Sequence, residues 1–330
     1  MHTPTTLTES TAPRERSTRQ RWYFHRFNTP LVWKLILRIP PRLPRFMLAP
    51  LHHASSLFCF ACMRRERAAA RRNLRRITGK RGWSNLLVAY RLFLNFSRFM
   101  VAYTEIRRLR FDDFRGRVLG IEETERTTEK LLREGNGLII VTAHLGHWDL
   151  GLKLLPLYGL PVHVVMLSED PAEVTRFAEE ARDNPGLRVH QMGSTPLLAV
   201  ELMLALKRGE MVAVQADRPV GQNHLWVPLF GEPTPLPTGP VELAMATGAP
   251  VLPVFIVLET GGRYRILARE PMRFRREEGG QEGEALRAAM GRMASMMESV
   301  IARYPDQWFN FYDVWPAPSP GAVHPERRDA

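Results

Sequence analysis

Cysteine is almost missing from this chain of 330 residues: Cys59 and Cys62 are the only two. Two thiols three positions apart in an apolar stretch supply neither a disulfide framework nor a four-ligand metal site, so they read as small hydrophobes. Nothing calls for an oxidising compartment, and a cytosol-facing location is the default. The first 20 residues contain no apolar core of the kind a signal peptide needs, so no cleavable leader is expected. Internal repeats are absent. Acidic residues are scarce at the start: residues 1–80 hold only Glu9, Glu15 and Glu66. What is present in quantity is hydrophobic residues, at 45%, which excludes collagen-like and wholly disordered chains and allows a substantial core.

The net charge of +12 is unevenly spread. Residues 1–80 carry 17 Arg and Lys against those three Glu, a local +14, and the other 250 residues sum to −2. The excess positive charge therefore belongs to the N-terminal quarter and suits a polyanion, either an anionic membrane surface or a nucleic acid. Between residues 31 and 46, Lys34, Arg38, Arg42 and Arg45 alternate with Leu, Ile, Trp and Phe, while Pro40, Pro41 and Pro44 prevent a long helix. That composition suits a segment lying among lipid headgroups. Phe46 to Met63 is an 18-residue stretch without Asp, Glu, Lys or Arg, near the lower limit for a span, but Pro50, His52, His53, Ser55 and Ser56 lower its hydrophobicity. Lying on the membrane is the expectation, with one N-terminal spanning segment as the alternative.

The chain divides into a basic tail (1–20), a helical membrane-associating region (21–110), an α/β domain (111–315) and a C-terminal tail (316–330), both tails being expected to be disordered. Helices are expected at 64–77 and 84–107, the second polar only along the stripe Arg91, Arg98 and Glu105 and so buried on most sides. From residue 121 helices alternate with apolar runs. Strands are expected at 138–144, 162–167, 188–192, 211–217, 251–259 and 263–269, and helices at 122–133, 147–157, 172–183, 196–207, 240–247 and 283–303. Because the central strands are apolar on both faces, the fold class is α/β, a mostly parallel sheet covered by helices.

The sharpest motif is TAHLGHWD at 142–149, where the first central strand ends. Active sites of open α/β sheets collect at the carboxyl ends of strands, which places His144 where chemistry is expected. On one continuous helix His144 and Asp149 would point about 140° apart. If the chain turns at Gly146 into a helix, Asp149 falls in the first turn and reaches back to the imidazole, fixing its tautomer and leaving the other ring nitrogen to take a proton from a hydroxyl. Two alternatives stand beside this: an ordinary strand-to-helix turn with Asp149 as a cap, and a metal site of His144, His147 and Asp149. The metal site needs a fourth ligand or a water, and Gly146 works against helical geometry for the His pair.

AHLGHWDLG resembles the H-x4-(D/E) block of the glycerolipid acyltransferase superfamily, in particular the lauroyl and myristoyl transferases of lipid A biosynthesis. Three further stretches are similar to that branch: Arg71-Arg72-Asn73-Leu74, residues 212–255 from VAVQAD through VPLFG to GAPVLPVF, and PDQWFNFYDVW at 305–315. The chain departs from the branch at Asp149, where Glu is common, at His147, where Asn is frequent, and in lacking a strong, unbroken N-terminal membrane helix.

The resemblance implies direct acyl transfer from acyl carrier protein or coenzyme A to a hydroxyl of a lipid A-like membrane glycolipid, with no cofactor and no metal. His144 is then the general base, oriented by Asp149. Arg182 matches an Arg of the branch's site, with phosphate binding or oxyanion stabilisation as its role and a surface ion pair as the alternative. Asp217 matches a third polar position, Arg218 is placed to contact an anionic headgroup, and Gly239 to bring backbone N–H groups close to substrate. The expected partners are anionic membrane lipids and an acyl carrier protein, at the cytoplasmic face of the inner membrane. Phosphatidylinositol mannoside, lysophospholipid and ornithine-type lipids are alternative acceptors. A basic nucleic-acid-binding protein is the alternative of another class, and it leaves the His144 motif unexplained. The cluster Trp308, Phe309, Phe311, Tyr312 and Trp315 is read as core packing, an interfacial belt or an acyl channel.

Overall fold

The computed structural model describes residues 39–106, 116, 118–167, 186–192, 197–219, 223–275 and 282–315. The expected tails, the 172–183 helix and Arg182 lie outside these residues, as does the first half, 31–38, of the expected headgroup segment. Among the described residues the chain forms eight α-helices, numbered here in order: α1 Arg45–Cys62, α2 Arg64–Thr78, α3 Gly82–Ile106, α4 Ile121–Leu132, α5 Asp149–Leu154, α6 Leu198–Lys207, α7 Gly239–Thr247 and α8 Glu282–Arg303. The strands are β1 Val118–Leu119, β2 Leu138–Thr142, β3 Val162–Leu167, β4 Leu187–Met192, β5 Met211–Gln215, β6 His224–Leu229, β7 Glu232–Pro237, β8 Val251–Leu258 and β9 Tyr264–Ala268.

Seven strands make one sheet in the order β1-β9-β8-β2-β5-β3-β4. The five from β8 to β4 are parallel, and β9 runs antiparallel to β8. Strand β2 sits between β8 and β5, and the chain leaves it toward β3 on one side while β8 fills the other. It therefore lies at the topological switch of the sheet, where an open α/β sheet leaves a crevice at its carboxyl edge.

Both faces of β2 are covered, as its unbroken apolar run requires. Ile139 and Val141 pack with Leu206 of α6, Ala244 of α7 and Met297 of α8, and Leu138 and Ile140 face Leu131 of α4 on the other side. Each fully buried Leu or Ile contributes roughly 1.5–3 kcal/mol. Helices α2 and α3 form a separate cluster with Phe309 and Phe311, so the N-terminal helices are joined to the α/β domain through its last segment. Helix α3 is buried along most of its length from Val88 to Ala102, as its narrow polar stripe predicts.

Helix α1 runs through Pro50. It leaves an apolar surface in solvent: Phe46 is 78% and Phe58 58% exposed. No single described helix is long and apolar enough to cross a membrane; α1 and α2 meet that test only as a pair, bent by 96°.

One pairing escapes the sequence reading. The Pro-rich 224–237 stretch is a hairpin, β6 against β7, with Pro228 opposite Pro233 and a turn at Phe230 (φ 52°) and Gly231 (φ 75°). Proline demotes a central strand because it cannot donate to the ladder, but a two-stranded ribbon has free edges that tolerate it.

Candidate active site

Strand β2 ends at Thr142, and the chain turns at once, with Leu145 N–H donating to Ala143 O at 2.6 Å. The turn is strapped on two sides. His147 N–H donates to Ile256 O of β8 at 2.6 Å, and Gly146 N–H donates to Gln307 O at 2.8 Å. Gly146 has φ +66°, a conformation that strains any residue with a Cβ. Helix α5 begins only at Asp149, two residues later than expected.

The carboxylate bonded to the His144 ring is that of Asp217, reached across the sheet. β2 and β5 are parallel with Thr142 opposite Gln215, so two residues further on His144 comes level with Asp217. His144 Nδ1–H donates to Asp217 Oδ1 at 2.7 Å, and the His144 backbone N–H donates to the same oxygen at 3.1 Å. The sequence reading assigned the orienting contact to Asp149 and left Asp217 as a matching polar position. Asp149 stands instead at the start of α5.

Asp217 is 3% exposed. Its second oxygen, Oδ2, accepts from Trp308 Nε1–H at 2.9 Å and from Asn310 Nδ2–H at 3.3 Å. Burial alone would raise the pKa of this carboxyl, but the His144 charge and hydrogen bond, the Arg218 charge and the Trp308 donor outweigh it and hold it well below the carboxylate range. For His144 burial lowers the pKa, Arg218 lowers it further, and Asp217 offsets only part. With its pKa lowered from 6.5 the imidazole is mainly neutral at pH 7, its Nδ1–H donating to Asp217 and its Nε2 carrying the lone pair that can accept a proton.

Arg218 donates from Nε to Asn310 Oδ1 and from an Nη to Phe309 O, both at 2.8 Å, and its guanidinium lies 5.8 Å from the Tyr312 ring centre. It is held against the C-terminal segment, close enough to His144 to lower its pKa. Gly239 opens α7 with free space where a side chain would stand. His147 is 1% exposed, and burial lowers its pKa to about 3. Its ring meets Phe99 and Tyr264 edge-on at 5.4 and 4.8 Å, which is a packing environment. Among the described residues no group of three or more His, Cys, Asp or Glu side chains has an arrangement able to hold a metal ion.

The aromatic cluster at the C-terminus packs in the core: Trp308, Phe309 and Phe311 are 2%, 2% and 6% exposed. The two outlying motifs meet there. Asn73 donates to Asn310 O and Tyr312 O at 3.1 and 2.7 Å and accepts from Val314 N–H at 3.2 Å. Gln307 bonds both the N–H and the C=O of Leu258 in β8 at 2.8 Å. Sequence reasoning missed the contacts of Asn73, Gln307, Trp308 and Asn310. Their presence in family-like motifs was the available signal, and their partners lie too far away in the chain to be read.

Phosphatidylinositol mannoside acyltransferase of Mycolicibacterium smegmatis is 30% identical over 187 residues, 56% of this chain and 58% of the relative. The protein of the same name from Mycobacterium tuberculosis is 31% identical over 134 residues, 40% of this chain and 42% of the relative. The chain thus matches about half the length of these curated relatives. The profile of a family described as bacterial lipid A biosynthesis acyltransferase matches residues 13–316, the His144 turn and the three further motifs included. By that match over nearly its whole length, the chain belongs to the bacterial lipid A biosynthesis acyltransferase family.

Proposed function

We propose that this protein transfers a fatty acyl group from a coenzyme A or acyl carrier protein thioester to a sugar hydroxyl of an anionic membrane glycolipid. The observation that carries the reading is the His144 imidazole at the carboxyl end of the central strand, its Nδ1 bonded to the buried Asp217 carboxylate at 2.7 Å, which leaves Nε2 as the nitrogen to accept a proton. Nε2 takes the hydroxyl proton as the oxygen attacks the thioester carbonyl. The C–S bond then breaks, and the imidazolium returns its proton to the leaving thiolate. Asp217 stabilises the imidazolium between these steps. Asp149 and Arg182 are proposed as further site residues, with Arg182 stabilising the oxyanion or binding phosphate.

The family description supports a lipid A-like acceptor, and the names of the mycobacterial relatives support phosphatidylinositol mannoside; both offer a sugar hydroxyl on an anionic lipid. The cytoplasmic face of the membrane is part of the proposal; the apolar surface of α1 and the exposed arginines Arg64, Arg65, Arg71 and Arg75 of α2 support docking on an anionic lipid surface. The test incubates the full chain in detergent with palmitoyl-CoA and either phosphatidylinositol dimannoside or a lipid A precursor, with mass spectrometry of the lipid. One added acyl group that is absent with His144→Ala supports the reading; no acylation of either acceptor, or equal acylation by His144→Ala, overturns it.

A further inference from the structure

Segment 307–310 touches the 144–146 turn and the Asp217 carboxylate at four points. Gln307 O accepts from Gly146 N–H and His144 O accepts from Phe309 N–H, each at 2.8 Å. Trp308 and Asn310 donate to Asp217 Oδ2, opposite the oxygen that serves His144. Each carboxylate oxygen thus accepts two hydrogen bonds, which fixes the plane of the group. Asn310 has a second role: its Oδ1 accepts from Arg218 Nε–H while its Nδ2 serves Asp217, and only one orientation of the amide satisfies both. Asn310 and Trp308 are 1% and 2% exposed.

We propose that Trp308 and Asn310 are positioning residues of the acyl-transfer site, holding Asp217 and Arg218 so that His144 keeps its proton on Nδ1 and its Nε2 open toward the reacting hydroxyl. The proposal rests on the reading of His144 as the base. Neither residue touches the imidazole; both act through Asp217, and Asn310 also through Arg218. The titratable and charged groups around His144 are Asp217 and Arg218 after β5, Tyr312 in the C-terminal segment, and His147 and Asp149 on its own turn and helix. From α3 the neighbouring side chain is Phe99, against Trp148 at 4.5 Å.

The direction of the effect follows from charge. A hydrogen bond from Trp308 draws negative charge away from the oxygen facing His144, so its loss makes Asp217 a stronger partner for imidazolium. Loss of Asn310 does the same and also removes one of the bonds that hold Arg218, whose positive charge opposes imidazolium, while its bond to Phe309 O remains. Both changes make His144 easier to protonate.

The test uses the full chain in detergent with 15N-labelled histidine, the His144 ring signals being assigned by their loss in His144→Gln. Trp308→Phe keeps most of the ring volume and removes only the indole N–H, and Asn310→Leu is the second variant. Trp315→Phe is the control, because that indole N–H donates to Thr234 Oγ1 at 2.7 Å in the same segment, away from Asp217. The expected result for Trp308→Phe is a His144 titration midpoint raised by about one pH unit, with kcat for palmitoyl-CoA transfer to phosphatidylinositol dimannoside lowered about tenfold and KM within about twofold. Asn310→Leu moves both in the same direction, and Trp315→Phe moves neither. An unchanged midpoint and kcat in both variants, or equal shifts in Trp315→Phe, overturns the proposal. Full turnover by His144→Ala overturns the base reading instead, and the ring titration still reports whether Trp308 and Asn310 control Asp217.

Discussion

A Cβ built on Gly146 would lie 2.1 Å from the carbonyl oxygen of Ile256, the oxygen that also accepts from His147 N–H. The catalytic turn and β8 are therefore in backbone contact, with no room for a side chain between them. Gly146→Ala has to open this contact as well as bear the positive φ, which alone costs about 1–2 kcal/mol. The expected outcome is a loss of about 3 kcal/mol or more in stability, seen as a lowered Tm, with acyl transfer lost. Gly231→Ala, at φ +75° but with open space around it, should lose only about 1 kcal/mol.

The base and its carboxylate separate by mutation. His144→Ala should lower kcat by on the order of 10²-fold or more, the contribution of a general base. Asp217→Asn removes the negative acceptor for Nδ1–H and should lower kcat to a similar extent, with a changed tautomer in the ring nitrogen spectrum. Asp149→Asn should leave that tautomer in place. A ring spectrum altered by Asp149→Asn and untouched by Asp217→Asn would reverse the assignment.

The pH dependence of activity has a definite sign. His144 must be neutral to accept a proton, and burial together with Arg218 lowers its pKa below the ordinary value of 6.5. The acid limb of the kcat/KM profile should therefore have its midpoint below pH 6.5. An acid limb with its midpoint above pH 7 would contradict this lowering.

Stability has its own acid limb. His147 titrates near 6.5 in the unfolded chain and at about 3 in the fold, so the unfolded state binds the proton first and stability falls as pH drops through that window. The loss approaches roughly 1.4 kcal/mol for each pH unit traversed. His147→Leu removes this buried ring, whose Nδ1 has no hydrogen-bond partner, and should flatten the difference between urea melts at pH 7 and pH 5.

The apolar surface of α1 makes the membrane reading testable. Phe46→Glu with Phe58→Glu changes two side chains that are 78% and 58% exposed, so Tm should hold. Flotation with vesicles containing about one-third phosphatidylglycerol should fall several-fold. A salt-dependent shift of DNA or RNA that survives the pair, with no flotation of the parent chain, would favour the nucleic-acid alternative.

Much of the fold was legible along the chain. The apolar runs of β2, β3, β5 and β8 are long enough to be strands and uninterrupted enough to be buried on both faces, and the helices between them carry a 3.6-residue period. The β6–β7 hairpin was hidden because its prolines argue against strand, a local rule that a free-edged ribbon escapes. The bonds of Asn73 to residues 310–314 were hidden for a different reason: their partners are more than 230 residues away, beyond any local pattern.

The site divides in the same way. Sequence by itself determined that His144 ends an apolar strand and is followed by a turn, because the strand's apolar run stops there and Gly146 permits what other residues do not. Which carboxylate would orient it was decided by tertiary structure alone. Asp149 is five residues away in the chain, whereas Asp217 is 73 away, yet parallel pairing of Thr142 with Gln215 brings it level with the ring at 2.7 Å. Strand order and register are properties of the assembled sheet. They chose a partner that proximity in sequence did not indicate.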